Sequence, residues 1–232
     1  MTKYSVLYSD PAWNYRDKAK SGDRGAEFHY PCMSVDELCD MRDYINTISE
    51  DDAVLYLWTT SPMLTTALTV MEAWGFKFKI IVFTWIKRTK HNKLFWGMGS
   101  VATRANPEFV LLGIRGKGIK RDSASVHSVV EAPLREHSRK PDEVRSRIDQ
   151  LYGPEYKKIE LFAREQFPNW DSFGLEVDKF NNVKKVKDDD GNEMPVIISK
   201  DKLMDIIREA FKQQNIEDVV DISCMQIGSG SE

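Results

Sequence analysis

Five short apolar runs rich in β-branched and aromatic residues, Ser5–Ser9, Val54–Trp58, Ile80–Thr84, Phe109–Gly113 and Lys158–Phe162, set the strongest limit on what this chain can fold into. Segments of helical pattern lie between them. Ser34 with Glu37 forms a capping box that opens a helix toward Tyr44. Ser61-Pro62 opens a second helix that Gly75 closes, and Pro141-Asp142-Glu143 starts a third. The third carries Val144, Ile148 and Leu151 on one face and stops at Gly153-Pro154. Strands alternating with helices predict an α/β fold built on a largely parallel, doubly wound sheet. Such sheets take ligands in the crevice at the carboxyl ends of their strands.

At the carboxyl end of the first run stands Asp10-Pro11-Ala12-Trp13. A strand-ending turn with a half-buried indole explains these four residues as structure alone. They also make a pocket for a flat base bearing an amino group. The exocyclic amine of adenine is a poor nucleophile because its lone pair is delocalised into the ring. A carboxylate and a backbone carbonyl that accept its two N–H protons draw that lone pair toward an electrophile. Proline aims its own carbonyl inward, and an indole face stacks on a base.

Further segments follow in order: Gly25-Ala26-Glu27-Phe28-His29-Tyr30-Pro31-Cys32-Met33-Ser34, Trp74-Gly75-Phe76, Thr84-Trp85-Ile86-Lys87, and His137-Ser138-Arg139-Lys140-Pro141-Asp142-Glu143. Lys158-Ile159-Glu160-Leu161-Phe162-Ala163-Arg164, Asn169-Trp170 and Gly174 complete the set. Over residues 4–178 the chain resembles the adenine-N6 methyltransferase family of the eukaryotic mRNA methyltransferase catalytic subunit, whose bacterial and phage members are expected to modify DNA. The resemblance implies a Rossmann-like methyltransferase fold that uses S-adenosylmethionine, with the tetrapeptide placed before the cofactor strand.

Carried over by motif, Asp10, Pro11 and Trp13 form the catalytic set. Asp10, Phe162, Arg164, Gln166, Glu176, Ser138 and Lys140 are the expected cofactor contacts. Tyr15, His29 and Tyr30 are expected around the target base, in positional rather than acid-base roles. Three positions depart from the family pattern. Ala12 replaces a second proline, Leu175 stands where many relatives carry Asn, and Pro107 precedes Glu108 in place of a lysine. The last change leaves Arg139 and Lys140 as candidate partners for the cofactor carboxylate.

Charge separates along the chain. From Lys77 to Arg145 fifteen bases face six acids, whereas from Glu176 onward eight bases face thirteen acids. A basic middle attracts a phosphate backbone. Two long polar stretches, Lys87–Asn106 and Arg115–Pro133, interrupt the strand-helix pattern and are read as substrate loops. In the first, Lys87, Arg88, Lys90, Lys93 and Arg104 would hold phosphates while Phe95 and Trp96 stack on unpaired bases. An insertion docked back on the core is the structural alternative.

The expected partner is nucleic acid, DNA rather than RNA, the preference resting on the short architecture without a zinc-finger extension. A homodimer is left open. A catalytically silent nucleic-acid-binding subunit and an RNA adenine-N6 methyltransferase are the alternatives, with small-molecule or protein methylation behind them. Three scattered cysteines and four scattered histidines predict neither disulfides nor a metal site. No apolar segment approaches the roughly 20 residues of a membrane span, so a cytoplasmic place without membrane contact is expected. Residues 1–178 are assigned to the catalytic domain and 179–232 to a small ββα appendage. There Val183–Lys187 and Pro195–Ser199 flank a turn, Ser199 caps a helix, and the tail is expected to be disordered.

Overall fold

The computed structural model describes residues 2–13, 33–97, 102–136, 139–174, 186–187 and 193–194. Its centre is a sheet of seven strands: β1 (Tyr4–Ser9), β2 (Ser49–Thr60), β3 (Lys77–Arg88), β4 (Glu108–Arg115), β5 (Val129–Pro133), β6 (Lys158–Leu161) and β7 (Asp171–Phe173). Their spatial order is β5-β3-β4-β2-β1-β6-β7. β1 pairs in parallel with β2 on one side and with β6 on the other, so the strand order reverses at β1. The sheet is mixed, because β4 runs antiparallel to both β2 and β3.

Side chains of period two build a core on each face. Leu7, Leu55, Leu57, Leu111 and Leu161 point to one side, where α1 (Val35–Asp40), α2 (Arg42–Ile48) and α3 (Leu64–Ala73) cover them with Leu38, Ile45, Ile48, Val70, Met71 and Trp74. Val6, Tyr8, Tyr56, Trp58, Phe83 and Val110 point to the other side, under Val144, Ile148 and Leu151 of α4 (Asp142–Leu151). The strands of the middle are therefore buried on both faces, which is why they appear in sequence as near-continuous apolar runs.

The helix starts follow the local chemistry. Ser34 and Glu37 form the expected capping box, and Pro141 is the N-cap of α4. Gly75, at φ +79, takes the left-handed turn that ends the α3 segment. One expected helix is two: at Met41 the backbone N–H turns to the Leu38 and Cys39 carbonyls, which tightens the last turn of α1 and sets a corner before α2.

Strands β5 and β7 lie outside the five expected runs, β5 inside the basic stretch Arg115–Pro133 read as a loop. Both are short edge strands held by one neighbour each, β3 and β6. Strand β6 stops one residue early, since Phe162 turns into the left-handed region at φ +59. Near the carboxyl terminus β8 (Val186–Lys187), inside the expected Val183–Lys187 strand, pairs antiparallel with β9 (Glu193–Met194), which precedes the expected Pro195–Ser199 strand; that strand and the expected helix after Ser199 lie outside the described residues. No helix among the described residues is long and apolar enough to cross a membrane.

Candidate active site

Asp10 follows β1 at the point where the strand order reverses, the usual ligand position of an open α/β sheet. It lines a cleft with Arg139, Lys140, Arg145, Glu160, Phe162, Arg164 and Glu165. The turn that carries it is closed by the Trp13 N–H, which donates to the Pro11 carbonyl at 2.8 Å. That carbonyl keeps a second lone pair. The Trp13 indole is buried, and its Nε1 donates to the Trp58 carbonyl at 3.1 Å.

The tetrapeptide carboxylate does not stand alone. Lys140 Nζ lies 3.1 Å from Asp10 Oδ1 and 3.0 Å from Glu108 Oε2, over the Trp58 ring at 5.3 Å. Lys87 Nζ lies 2.6 Å from the other oxygen of Glu108, Oε1. The four side chains therefore alternate in sign. Burial pushes the Glu108 carboxyl up, but the ammonium groups of Lys140 and Lys87 outweigh it and bring it down to about 2. Burial also opposes charge on Lys140, and Asp10 and Glu108 reverse this and raise its pKa.

Glu108 reaches this row because β4 is antiparallel. Its first residue pairs with Thr60 at the end of β2 and with Trp85 near the end of β3.

A second charged group forms the floor. The Arg145 guanidinium, buried on α4, bonds Glu160, Glu165 at 3.0 Å and Asp142 at 2.9 Å, with its carbon 3.4 Å from the Phe167 ring centroid. Burial pushes Glu160 up to about 7 in spite of Arg145. Arg139 bonds Glu165 at 2.8 Å. After β6 the chain makes its tight turn at Phe162. Gly174 packs there so closely that a Cβ on it would sit 2.4 Å from the Ala163 carbonyl oxygen. Phe162 and Arg164 line the cleft beside this turn.

The structure brings together Asp10, Lys140, Phe162 and Arg164 of the expected site, while Gln166 is exposed just beyond. Tyr15, His29, Tyr30, Ser138 and Glu176 lie outside the described residues. Of the expected phosphate contacts, Lys90, Lys93 and Arg104 are exposed. Lys87 faces Glu108, and Arg88 pairs with Glu131 on β5. Phe95 is half-buried and Trp96 is 61% exposed.

Glu108, Arg145, Glu160 and Glu165 were not among the expected site residues. Two of them carried a signal: Glu160 is a carboxylate inside an apolar strand, and Arg145 shares a helix face with Val144 and Ile148. Among the described residues no group of three or more His, Cys, Asp or Glu is placed to hold a metal ion.

Comparison with known proteins agrees with this architecture. The MT-A70 family matches residues 4–176, and the chain belongs to that family. It is similar to the type II methyltransferase M.MunI of a Mycoplasma species, 34% identical over 192 residues that cover 75% of this chain and 78% of the relative. It is also similar to the human N(6)-adenosine-methyltransferase catalytic subunit METTL3, 27% identical over 76% of this chain but only 28% of the human protein. The Drosophila melanogaster N(6)-adenosine-methyltransferase MT-A70-like protein is 28% identical, with 27% of its length covered. The chain thus spans about a quarter of these animal relatives.

Proposed function

We propose that the cleft beside Asp10 binds S-adenosylmethionine and that Asp10 receives the exocyclic amine of an adenine in DNA. The family and the names of its members make the chain an adenine-N6 methyltransferase acting on nucleic acid. DNA is favoured because the bacterial type II methyltransferase is covered over most of its length, whereas the adenosine-modifying animal proteins are covered over about a quarter.

The observation that carries the reading is the position of Asp10: its carboxylate lies on the wall of a cleft lined by both signs of charge, at the strand-order reversal. Such a lining fits the donor. Lys140 or Arg139 suits its carboxylate, Glu160 or Asp10 its ammonium, and Phe162 with Arg164 a flat ring and its sugar. When bound there, the donor supplies a methyl group made electrophilic by its sulfonium sulfur.

The chain's own residues do the rest. Asp10 and the free lone pair of the Pro11 carbonyl accept the two amine protons, which returns the nitrogen lone pair to the attacking position. A carboxylate has acceptor sites for Lys140 at Oδ1 and for the amine as well, and Glu108 holds Lys140 from the other side. No strong base is needed, because the methylated amine is acidic after attack and loses a proton to water. In duplex DNA the amine is paired, so the base must leave the stack before it reaches Asp10.

The test incubates purified protein with labelled S-adenosylmethionine and matched single-stranded DNA, duplex DNA and RNA, and identifies the labelled base by mass spectrometry. N6-methyladenine in DNA is expected. Label on cytosine or on protein overturns the reading, and label on RNA alone moves the chain to the adenosine-modifying branch.

A further inference from the structure

Lys87 belongs by sequence to the basic stretch assigned to phosphates, yet its ammonium is turned inward. It pairs with Glu108 at 2.6 Å and lies 5.3 Å from the Trp85 ring centroid, with 17% of the side chain exposed. Its peptide groups are equally committed. The Lys87 N–H donates to Asn106 Oδ1 at 3.0 Å, and its carbonyl accepts from Asn106 Nδ2 and from the Phe95 N–H, each at 3.0 Å. Asn106 Nδ2 also donates to the Phe95 carbonyl. One residue is therefore joined through its main chain to the arm that carries Phe95 and Trp96, and through its side chain to Glu108, Lys140 and Asp10.

We propose that Lys87 is a positioning residue for methyl transfer, coupling the seating of the aromatic arm on nucleic acid to the readiness of Asp10. The inference rests on the activity proposed above. An amine at Asp10 shares that carboxylate with Lys140, which bridges Asp10 and Glu108. The carboxylate is therefore placed by Lys140, Lys140 by Glu108, Glu108 by Lys87, and Lys87 by the arm. A phosphate could recruit Lys87 only by stripping it from Glu108, leaving one carboxylate oxygen of a largely buried group without its cation. Misplacement of about 1 Å away from the chemistry costs on the order of 10²-fold in rate.

The test compares the parent with Lys87→Met, Lys87→Arg, Asn106→Ala and the double variant Lys87→Met/Asn106→Ala. Unmethylated plasmid DNA is the methyl acceptor, and labelled duplex fragments of it serve for binding. Lys87→Met and Asn106→Ala should each lower kcat by roughly 10²-fold, while the salt dependence of DNA binding stays at the parent value. Lys87→Arg should recover part of the rate. The double variant should be no slower than the slower single one, because both changes cut the same link.

A Lys87→Met variant whose log-log salt slope falls by about 0.9 would make Lys87 a phosphate contact and overturn the proposal. An unchanged kcat, or multiplicative losses in the double variant, would overturn it too. If Lys87→Met does not fold, Asn106→Ala, which removes no charge, decides the matter by its kcat. A parent that makes no N6-methyladenine defeats the activity itself, and this is seen before any variant is compared.

Discussion

The indole of Trp13 hangs from the main chain of Trp58, its Nε1 donating to the Trp58 carbonyl at 3.1 Å, so the turn after β1 is moored to the end of β2. Asp10 is held between that mooring and its own strand. Trp13→Ala should therefore cost stability as well as base binding, roughly 3–5 kcal/mol for a buried aromatic reduced to a methyl group. Trp13→Phe, which keeps most of the volume and abandons one buried carbonyl, should cost about 1–3 kcal/mol. Urea denaturation of the two variants checks this. A Trp13→Ala protein with the parent's midpoint would show that the indole serves the base alone.

Asp10→Ala should lower methyl transfer by at least ~10²–10³-fold, since it removes an oriented acceptor at the reacting nitrogen. It also takes one of the two carboxylates from Lys140. Asp10→Asn separates the effects by keeping shape while losing charge. Turnover with labelled donor and a melting curve for each variant are the measurements. Near-normal turnover by folded Asp10→Ala would remove Asp10 from the chemistry.

Binding of duplex DNA should weaken as salt rises, with a log-log slope of roughly -0.9 per phosphate contacted. Neutralising Lys90, Lys93 and Arg104, all exposed, should flatten that slope. Trp96→Ala should weaken binding with little change in slope, because stacking releases no counterions. Fluorescence anisotropy across a salt series distinguishes the two sets. A slope untouched by the triple variant would place the phosphate surface elsewhere.

Acid should loosen the row of charges through Glu108, whose carboxyl is lowered from the ordinary 4.5 to about 2 by Lys140 and Lys87 against the effect of burial. A depressed acid binds fewer protons folded than unfolded between those values. Its contribution is thus fully present above about pH 4.5 and is lost as pH falls toward 2. That contribution is on the order of 3 kcal/mol. Thermal melts of parent and Glu108→Gln from pH 2 to 7 should show a shallower acid fall in the variant within that window. Parallel curves would refute the assignment.

β1, β2, β4 and β6 were legible because they are largely buried and stand out as apolar runs, and β3 shows such a run although its Ile80 and Ile81 are exposed. β5 and β7 were not, since short edge strands held by one neighbour have little apolar pattern to show. Asp10, Lys140, Phe162 and Arg164 could be found from motif order. Motif order also marks the position of Glu108, through Pro107 before it, but not its pairing with Lys140 and Lys87, because only an antiparallel β4 delivers its amino end to the edge that carries Asp10. For Lys87 and Arg88 the sequence shows the charge but not the carboxylate each one faces.

The clamp that Asn106 makes on Lys87 has a meaning for how such an enzyme diversifies. The chain leaves β3 at Arg88 and enters β4 at Glu108, and Asn106 clamps Lys87 beyond the last β3–β4 pair, while β5 holds the other edge. A chimaera that exchanges residues 89–105 with those of a relative, cut inside the clamp, would then be expected to change nucleic-acid binding and turnover together, because Phe95 belongs to the clamp as well as to the arm.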